Sequence, residues 1–282
     1  MSLQEKLTMS TNAIRIIKSW DWRRILFTVV AGVVTFFLLT NLFRLAAPWA
    51  SMAWYPHDDP RQLNPELHRW HEAMWGAVTG ILEGGVLLML LWRPRQNPLL
   101  IQLMASVIIG AVITVLPFEP SLLFVIVMMT LVVVTYPNPH ALLDFSREGP
   151  ISRPLLALGL ATALLLVPYI LRLTLWQLQG VGGEHATANQ WISDVEHAVF
   201  LLFATIWTIT RRPGWRPLGF LTGVVFLYLG VAALALPGYA GSWGIMGGIL
   251  ALIGGLLYLI LTISEARKAM RSSAEVLPAV TL

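Results

Sequence analysis

Eight stretches of apolar residues follow one another along the chain, and polar residues gather in the segments between them. Most of the stretches approach the about 20 residues that an α-helix needs to cross the hydrocarbon core of a bilayer. The pattern therefore predicts an all-α, polytopic membrane protein of eight transmembrane helices. We place them at residues 25–47, 72–92, 98–117, 120–136, 154–176, 191–210, 217–236 and 243–263.

The second four helices repeat landmarks of the first four. A four-helix unit returns to its starting side of the membrane, so two such units in tandem have the same orientation. We predict a first repeat at 25–136 and a second at 154–264, joined by a linker at 137–153 and flanked by an N-terminal segment, 1–24, and a C-terminal tail, 265–282. The landmarks are Arg44, Trp70, Arg93, Pro98 and Pro117, with counterparts in Arg172, Trp191, Arg212, Pro217 and Pro237.

Composition agrees with a membrane protein. Of the 282 residues, 56% are hydrophobic and 12% charged, against about 25% charged residues in an average soluble domain. The net charge of +4 would favour nucleic-acid binding in a soluble protein, but in a membrane protein basic residues report topology first. We therefore expect the lipid bilayer, and not nucleic acid, as the partner.

The basic residues are distributed unequally between the two sides of the predicted membrane. Of the 19 Lys and Arg residues, most fall on the side that carries both chain ends. By the positive-inside rule this side is cytoplasmic, which predicts a multi-pass protein of the plasma (inner) membrane with both termini inside. The residues on this side are Lys6, Arg15, Lys18, Arg23, Arg24, Arg93, Arg95, Arg147, Arg153, Arg211, Arg212, Arg216, Arg267, Lys268 and Arg271.

Small residues at fourfold spacing predict where helices approach each other closely. Gly76, Gly80 and Gly84 lie on one face of the second predicted helix, and Gly244 and Gly248 lie on one face of the eighth. Membrane helices associate through close packing and hydrogen bonding, so such faces are typical of helix contacts. We interpret both sets as packing faces.

Histidines and carboxylates at helical spacing mark the outer ends of two helices. His68, His71 and Glu72 are three and four residues apart, so their side chains project to one side of a helix. Asp194 and His197 have the same spacing at the start of the sixth helix, with Glu184 and His185 in the loop before it. Helical bundles assemble metal sites from such pairs on facing helices, so the set His68, His71, Glu72, Asp194 and His197 is a candidate metal or polar cluster.

Ion pairing is the alternative interpretation of the same acids. Each repeat places an arginine at the outer end of its first helix, Arg44 or Arg172, and acids at the outer start of its second. An arginine buried there without a carboxylate would cost several kcal/mol, because desolvating a single charge is expensive. This interpretation predicts a pair between Arg44 and Glu72 and another between Arg172 and Asp194 or Glu196.

Glu83 lies near the middle of the second predicted helix. Intramembrane carboxylates are costly and often mark a path for ions, protons or substrate, although some only form hydrogen bonds between helices. In a regular α-helix Glu83 would lie on nearly the same face as Glu72. We expect its side chain to face the interior of the first repeat, beside Gly76 and Gly80.

No motif in the sequence names a reaction or a cofactor. The chain has no cysteine and no phosphate-binding loop, zincin helix or serine-hydrolase elbow. The sequence favours a non-catalytic accessory or assembly module of a membrane complex. The alternatives are a proton- or ion-coupled transporter that uses Glu83 and an outward-facing metal or cofactor site.

Overall fold

The structure is a computed structural model that describes residues 22–50, 65–92, 120–138 and 146–276. Within these ranges the chain is helical and contains no β-strand. The predicted third membrane helix, 98–117, lies outside the described residues, as do residues 1–21 of the N-terminal segment, residues 139–145 of the linker and the end of the tail.

We number the α-helices in chain order. They are α1 (Trp22–Thr40), α2 (Arg69–Trp75), α3 (Gly84–Trp92), α4 (Pro120–Thr135), α5 (Arg153–Leu178), α6 (Glu184–Thr187), α7 (Gln190–Ile209), α8 (Trp215–Ala235) and α9 (Gly244–Val276). A short 3-10 helix, Asn41–Ala46, extends α1, and another, Pro65–His68, precedes α2. A π-helix, Gly76–Glu83, joins α2 to α3.

Six helical segments of the described chain are long and apolar enough to cross a membrane. They are Trp22–Ala46, Glu66–Trp92, Arg153–Leu178, Gln190–Ile209, Trp215–Ala235 and Gly244–Met270. The prediction of an all-α, multi-pass membrane protein is therefore confirmed.

The last helix is longer than predicted. The apolar stretch ends near Ile263, but α9 continues to Val276. Its polar extension is held by Glu265, which forms ion pairs with Arg211 of the turn between α7 and α8 and with Lys268 of the next turn of α9. A loss of hydrophobicity marks the edge of the membrane and does not by itself end a helix, which explains the difference.

Glycines allow two close helix contacts. A Cβ atom at Gly76 would lie 2.9 Å from the backbone nitrogen of Leu45, and one at Gly84 would lie 2.9 Å from the side chain of Leu39. Gly80 lies in the same row, against Leu42. The face predicted from glycine spacing thus lies against α1 and its 3-10 extension.

The contact between α8 and α9 differs in detail from the prediction. Gly248 and Gly255 pack there, with a Cβ atom at Gly248 only 3.0 Å from the carbonyl oxygen of Gly230. Gly244 does not take part: it begins α9 with a φ of +67°, and a Cβ atom there would meet only a carbonyl oxygen at 3.7 Å. A glycine occurs at position 244 because the positive φ of the turn favours it.

The second membrane segment, Glu66–Trp92, and α7 are more enclosed by protein than α1, α5 and α9. Trp70 and Trp191, one from each, are among the largest fully buried side chains. The polar residues that these two segments carry near their starts are consequently buried within the bundle.

Candidate metal centre

Three histidines converge at the end of the bundle where the second membrane segment and α7 begin. His68 and His71 come from the second membrane segment, and His185 comes from α6 in the loop that follows α5. All three are buried, and each offers a ligand atom within 4.8 Å of those of the other two. Among the described residues this is the group of His and acidic side chains suited to a metal ion.

Local sequence brings each histidine to this position. The spacing of three between His68 and His71 places both on one side of the helical segment. His185 follows a turn in which Gly180, Gly182 and Gly183 adopt positive φ angles of 65°, 81° and 53°. Such angles are strained for residues with a Cβ, so the glycines permit the tight loop that carries His185 to the other two histidines.

Two carboxylates hold two of the histidines. Nε2 of His68 lies 3.0 Å from Oε1 of Glu184, and Nδ1 of His71 lies 2.9 Å from Oδ2 of Asp194. A carboxylate oxygen is an acceptor, so the ring nitrogen that faces it is the donor and the other nitrogen of a neutral ring has a lone pair. This is the outer shell that orients histidine ligands in metalloproteins.

The remaining ring nitrogens have no partner in the described part of the chain. Nδ1 of His68, Nε2 of His71 and Nε2 of His185 are buried and make no hydrogen bond there. Buried polar atoms are nearly always paired, and three unpaired nitrogens in one cluster are unusual. A cation bound between the rings would satisfy all three at once.

Aromatic rings and a backbone turn enclose the cluster. Trp191 stacks on His185, with ring centroids 4.9 Å apart and planes 13° apart. Tyr169 donates a hydrogen bond to the carbonyl oxygen of Gly241 at 3.0 Å and lies 3.2 Å from Oδ2 of Asp194. These contacts fix the position of Asp194 beside His71.

Burial lowers the pKa of His185, and its neighbour His71 lowers it further. The backbone groups of Gly182 and Leu67 and the charge of Glu184 raise this pKa, but their effects are smaller. His185 is therefore neutral at pH 7, and the neutral imidazole is the form that binds metal.

Glu72 does not join the cluster. It forms an ion pair with Arg44, and the guanidinium group of Arg44 also lies 4.8 Å from the ring centroid of Trp75. The structure thus forms the first of the two ion pairs expected from the sequence. The carboxylate is neutralised there and is directed to α1's extension rather than to the histidines.

The second expected ion pair is not formed. Among the described residues no carboxylate pairs with Arg172, whose guanidinium group lies over the rings of Trp176 and Tyr169 at 4.9 and 5.6 Å. Asp194 is held by His71 and Tyr169 instead, and Glu196, two residues further along α7, is half-buried. The two predicted repeats were expected to use their acids alike, whereas Asp194 contacts a histidine from the first half of the chain.

His197 lies deeper than the cluster. Its Nε2 atom lies 3.1 Å from the hydroxyl of Thr79, and its ring packs against Trp75. Of the five residues in the predicted cluster, the structure brings together His68, His71 and Asp194, leaves Glu72 and His197 outside, and adds His185 and Glu184.

Glu83 ends the π-helix and is half-buried. The alignment of Glu83 with Glu72 assumed a regular α-helix, and Gly76–Glu83 departs from that geometry because each π-turn contains more residues. Its carboxyl group is close enough to Glu196 of α7 to interact with it electrostatically.

Comparisons of the chain with protein-family models, curated proteins and solved structures find no match. The chemistry of the site therefore has to be inferred from its own geometry. Three imidazoles, two of them oriented by carboxylates, form a donor set that suits a divalent transition metal.

Proposed function

We propose that this membrane protein binds a transition-metal ion through His68, His71 and His185. The observation that carries the proposal is the cluster of three buried ring nitrogens without partners in the described part of the chain. The carboxylates of Glu184 and Asp194 support it, because they fix the tautomers of His68 and His71 and make the rings more basic.

Imidazole donors suit zinc, copper, iron and nickel. Structural zinc sites are usually closed by four protein ligands, whereas catalytic zinc sites have three and keep one position for water or substrate. Three histidines fit the second type. When bound, such an ion would supply Lewis-acid chemistry or an activated water, which makes metal-dependent catalysis at the outer end of the bundle the favoured activity.

The proposal replaces the accessory module as the leading interpretation. A non-catalytic module of a membrane complex would not need a cluster of buried histidines with unpaired nitrogens. Leaving such groups unpaired costs about 1–3 kcal/mol each. The proposed metal site is compatible with the presence of partner subunits in a membrane complex.

Metal analysis of the purified protein tests the proposal. The protein should be purified in detergent without a histidine tag, loaded with Zn²⁺ and washed, and its metal content measured by mass spectrometry. We expect about one ion per chain, and its loss in His68→Ala, His71→Ala and His185→Ala. His197→Gln is the matched control and should retain the ion, because His197 is buried nearby but lies outside the cluster. Equal metal content in all four variants would refute the site.

A second candidate function is a proton or ion path through Glu83. The observation that favours it is the π-helix Gly76–Glu83 within the second membrane segment, since π-turns are rare and frequent at functional sites. Glu83→Gln should leave the protein folded and abolish uptake in proteoliposomes if this function is correct. Uptake equal to that of the wild type would exclude it, and metal content should be unchanged in either case.

We also propose that the chain is built of two four-helix repeats, with both termini on the cytoplasmic side of the plasma (inner) membrane. The charge asymmetry of the loops and the positions of the six apolar helices support this topology. Single cysteines at His140 and Val181, introduced in this cysteine-free chain, test it. In intact cells an impermeant maleimide should label position 181 and not position 140; the reverse result would invert the topology.

A further inference from the structure

A cavity of about 460 Å³ lies between α5 and α9. It is lined mainly by apolar side chains, and its edges include the exposed residues Leu165 and Ile253. Both helices have their apolar faces directed outward, so this opening faces the hydrocarbon of the bilayer. Its volume is in the range of about 300–1,000 Å³ that is typical of ligand pockets.

The cavity is long and narrow along the helices. Its lining on α5 runs from Leu158 to Arg172, and these 14 steps correspond to about 21 Å at 1.5 Å per residue. Half of the hydrocarbon core of a bilayer is about 15 Å thick. The cavity can therefore accept a hydrocarbon chain that lies parallel to the lipids of one leaflet.

The hydroxyl groups in the cavity wall are already satisfied by protein. Thr162 and Tyr258 are hydrogen-bonded to each other at 3.2 Å, and Tyr258 also donates to Thr205 at 3.1 Å. Tyr169 is bonded to Gly241. Around Thr162 and Tyr258 the cavity consequently makes no demand for a polar ligand and favours an apolar chain. The buried Nε1 of Trp243, whose ring lies beside Tyr169, has no hydrogen-bond partner among the described residues.

Arg172 supplies the one cationic group in the lining. It lies six residues before the end of α5 at Leu178, which is about 9 Å along the helix, and it is the last residue of α5 in the cavity lining. Its guanidinium group has aromatic neighbours but no carboxylate among the described residues. A phosphate or carboxylate would provide the bidentate partner that arginine prefers.

We propose that this cavity binds an anionic amphiphile, with its hydrocarbon chain between α5 and α9 and its oxyanion head group on Arg172. Charge complementarity at Arg172 and the apolar, chain-shaped remainder of the cavity identify this ligand class. The inference does not require a metal in the histidine cluster.

The end of the cavity that contains Arg172 lies close to the histidine cluster. Tyr169 lines the cavity beside Arg172 and lies 3.2 Å from Asp194, which holds His71. A head group on Arg172 is therefore separated from the histidine cluster by one tyrosine and one aspartate.

Photo-crosslinking tests the binding site directly. The full-length protein in detergent micelles should be irradiated with a fatty acid that carries a diazirine in its chain, and the labelled peptides identified by mass spectrometry. We expect the label in the parts of α5 and α9 that line the cavity. An alkyl phosphate of the same length should compete, and the matched fatty alcohol should compete at least about tenfold less well, because it lacks the charge-assisted contact with Arg172.

Two variants separate the head-group contact from the chain contact. Arg172→Ala should weaken binding of the fatty acid at least about tenfold and leave binding of the alcohol unchanged. Gly254→Leu should weaken binding of both the fatty acid and the alcohol, because a Cβ atom at Gly254 meets nothing within 4 Å and a larger side chain can fill the cavity. Leu164→Phe is the control for added bulk, since Leu164 lies on α5, is 76% exposed and does not line the cavity.

Labelling elsewhere in the protein would overturn the proposal, as would equal competition by the phosphate and the alcohol together with no effect of Arg172→Ala. The measurements should be made with zinc-loaded and with chelator-treated protein. Loss of the metal site alone would leave the labelling pattern unchanged, so failure of the metal proposal and failure of this one are distinguishable.

Discussion

The imidazole of His71 and the carboxylate of Asp194 meet at 2.9 Å, although the two residues are 123 positions apart in the chain. The contact joins the second membrane segment to α7 and thus links the two halves of the protein. Both side chains are almost fully buried. A charge-assisted hydrogen bond in such surroundings is strong, and it leaves Nε2 of His71 as the acceptor in the cluster.

Removal of this carboxylate's charge should weaken metal binding. In Asp194→Asn, the ring of His71 loses its ionised acceptor and with it a fixed tautomer and part of its basicity. We expect Zn²⁺ affinity to fall about 10- to 100-fold, the usual effect of losing an outer-shell partner. Competition with a chromophoric chelator measures the affinity. Glu148→Gln is the control and should have no effect, because Glu148 contacts Trp215 and Arg216 at the other end of the bundle.

The fold class was predictable because it depends mainly on one free-energy cost, that of placing unpaired polar backbone groups in hydrocarbon. Long apolar stretches avoid this cost only as helices, so α5, α7 and α8 begin and end within a few residues of their predicted bounds. The π-helix was not predictable by the same means. Periodicity arguments assume a constant number of residues per turn, and Gly76–Glu83 departs from it.

The site was predictable where it is local and not where it depends on tertiary structure. The spacing of His68 and His71 follows from helical geometry and correctly grouped them. His185 lies on a glycine-rich loop whose path cannot be derived from periodicity. Treating the two repeats as equivalent led to the wrong partner for Arg172, since Asp194 is recruited by a histidine from the first half.

Acidification should destabilise the metal-free protein. The pKa of His185 in the folded state is lowered from 6.5, so the unfolded state binds more protons once the pH falls below about 6.5. Stability is therefore retained above this value and decreases as the pH falls towards the lowered pKa. Thermal unfolding of the chelator-treated protein at about pH 7.5 and 5.5 measures the loss, which should be smaller in His185→Gln because this variant lacks the titrating ring. An equal loss in both proteins would contradict the assignment to His185.

Gly241 should be needed for the geometry of the site. Its φ is +77°, and a Cβ atom there would lie 3.2 Å from Oδ2 of Asp194 and 3.3 Å from Cε1 of His71. Gly241→Ala should cost about 1–2 kcal/mol for the left-handed backbone and should also weaken metal binding by displacing these side chains. Gly238→Ala in the same turn is the matched control, because a Cβ atom there meets nothing within 4 Å. Unfolding temperature and zinc affinity should both change in the first variant and neither in the second.

The ion pair between Arg44 and Glu72 should stabilise the fold without taking part in metal binding. Both side chains are largely buried, at 12% and 5% exposure, so removing either charge removes the ion pair that offsets the burial of the other. Glu72→Gln should therefore destabilise the protein by about 3–5 kcal/mol, while its metal stoichiometry stays at that of the wild type. Arg44→Gln should behave in the same way, and the double variant should recover much of the loss, since neither of the two buried charges remains. Denaturation in mixed micelles gives the three stabilities, and metal analysis of each folded variant gives the stoichiometry.

Loss of zinc in Glu72→Gln at a temperature where the variant is still folded would make Glu72 a ligand and would require a different centre from the three-histidine cluster. Additive losses in the double variant would show instead that the two residues act independently, and that packing of Arg44 against Trp75 accounts for its contribution.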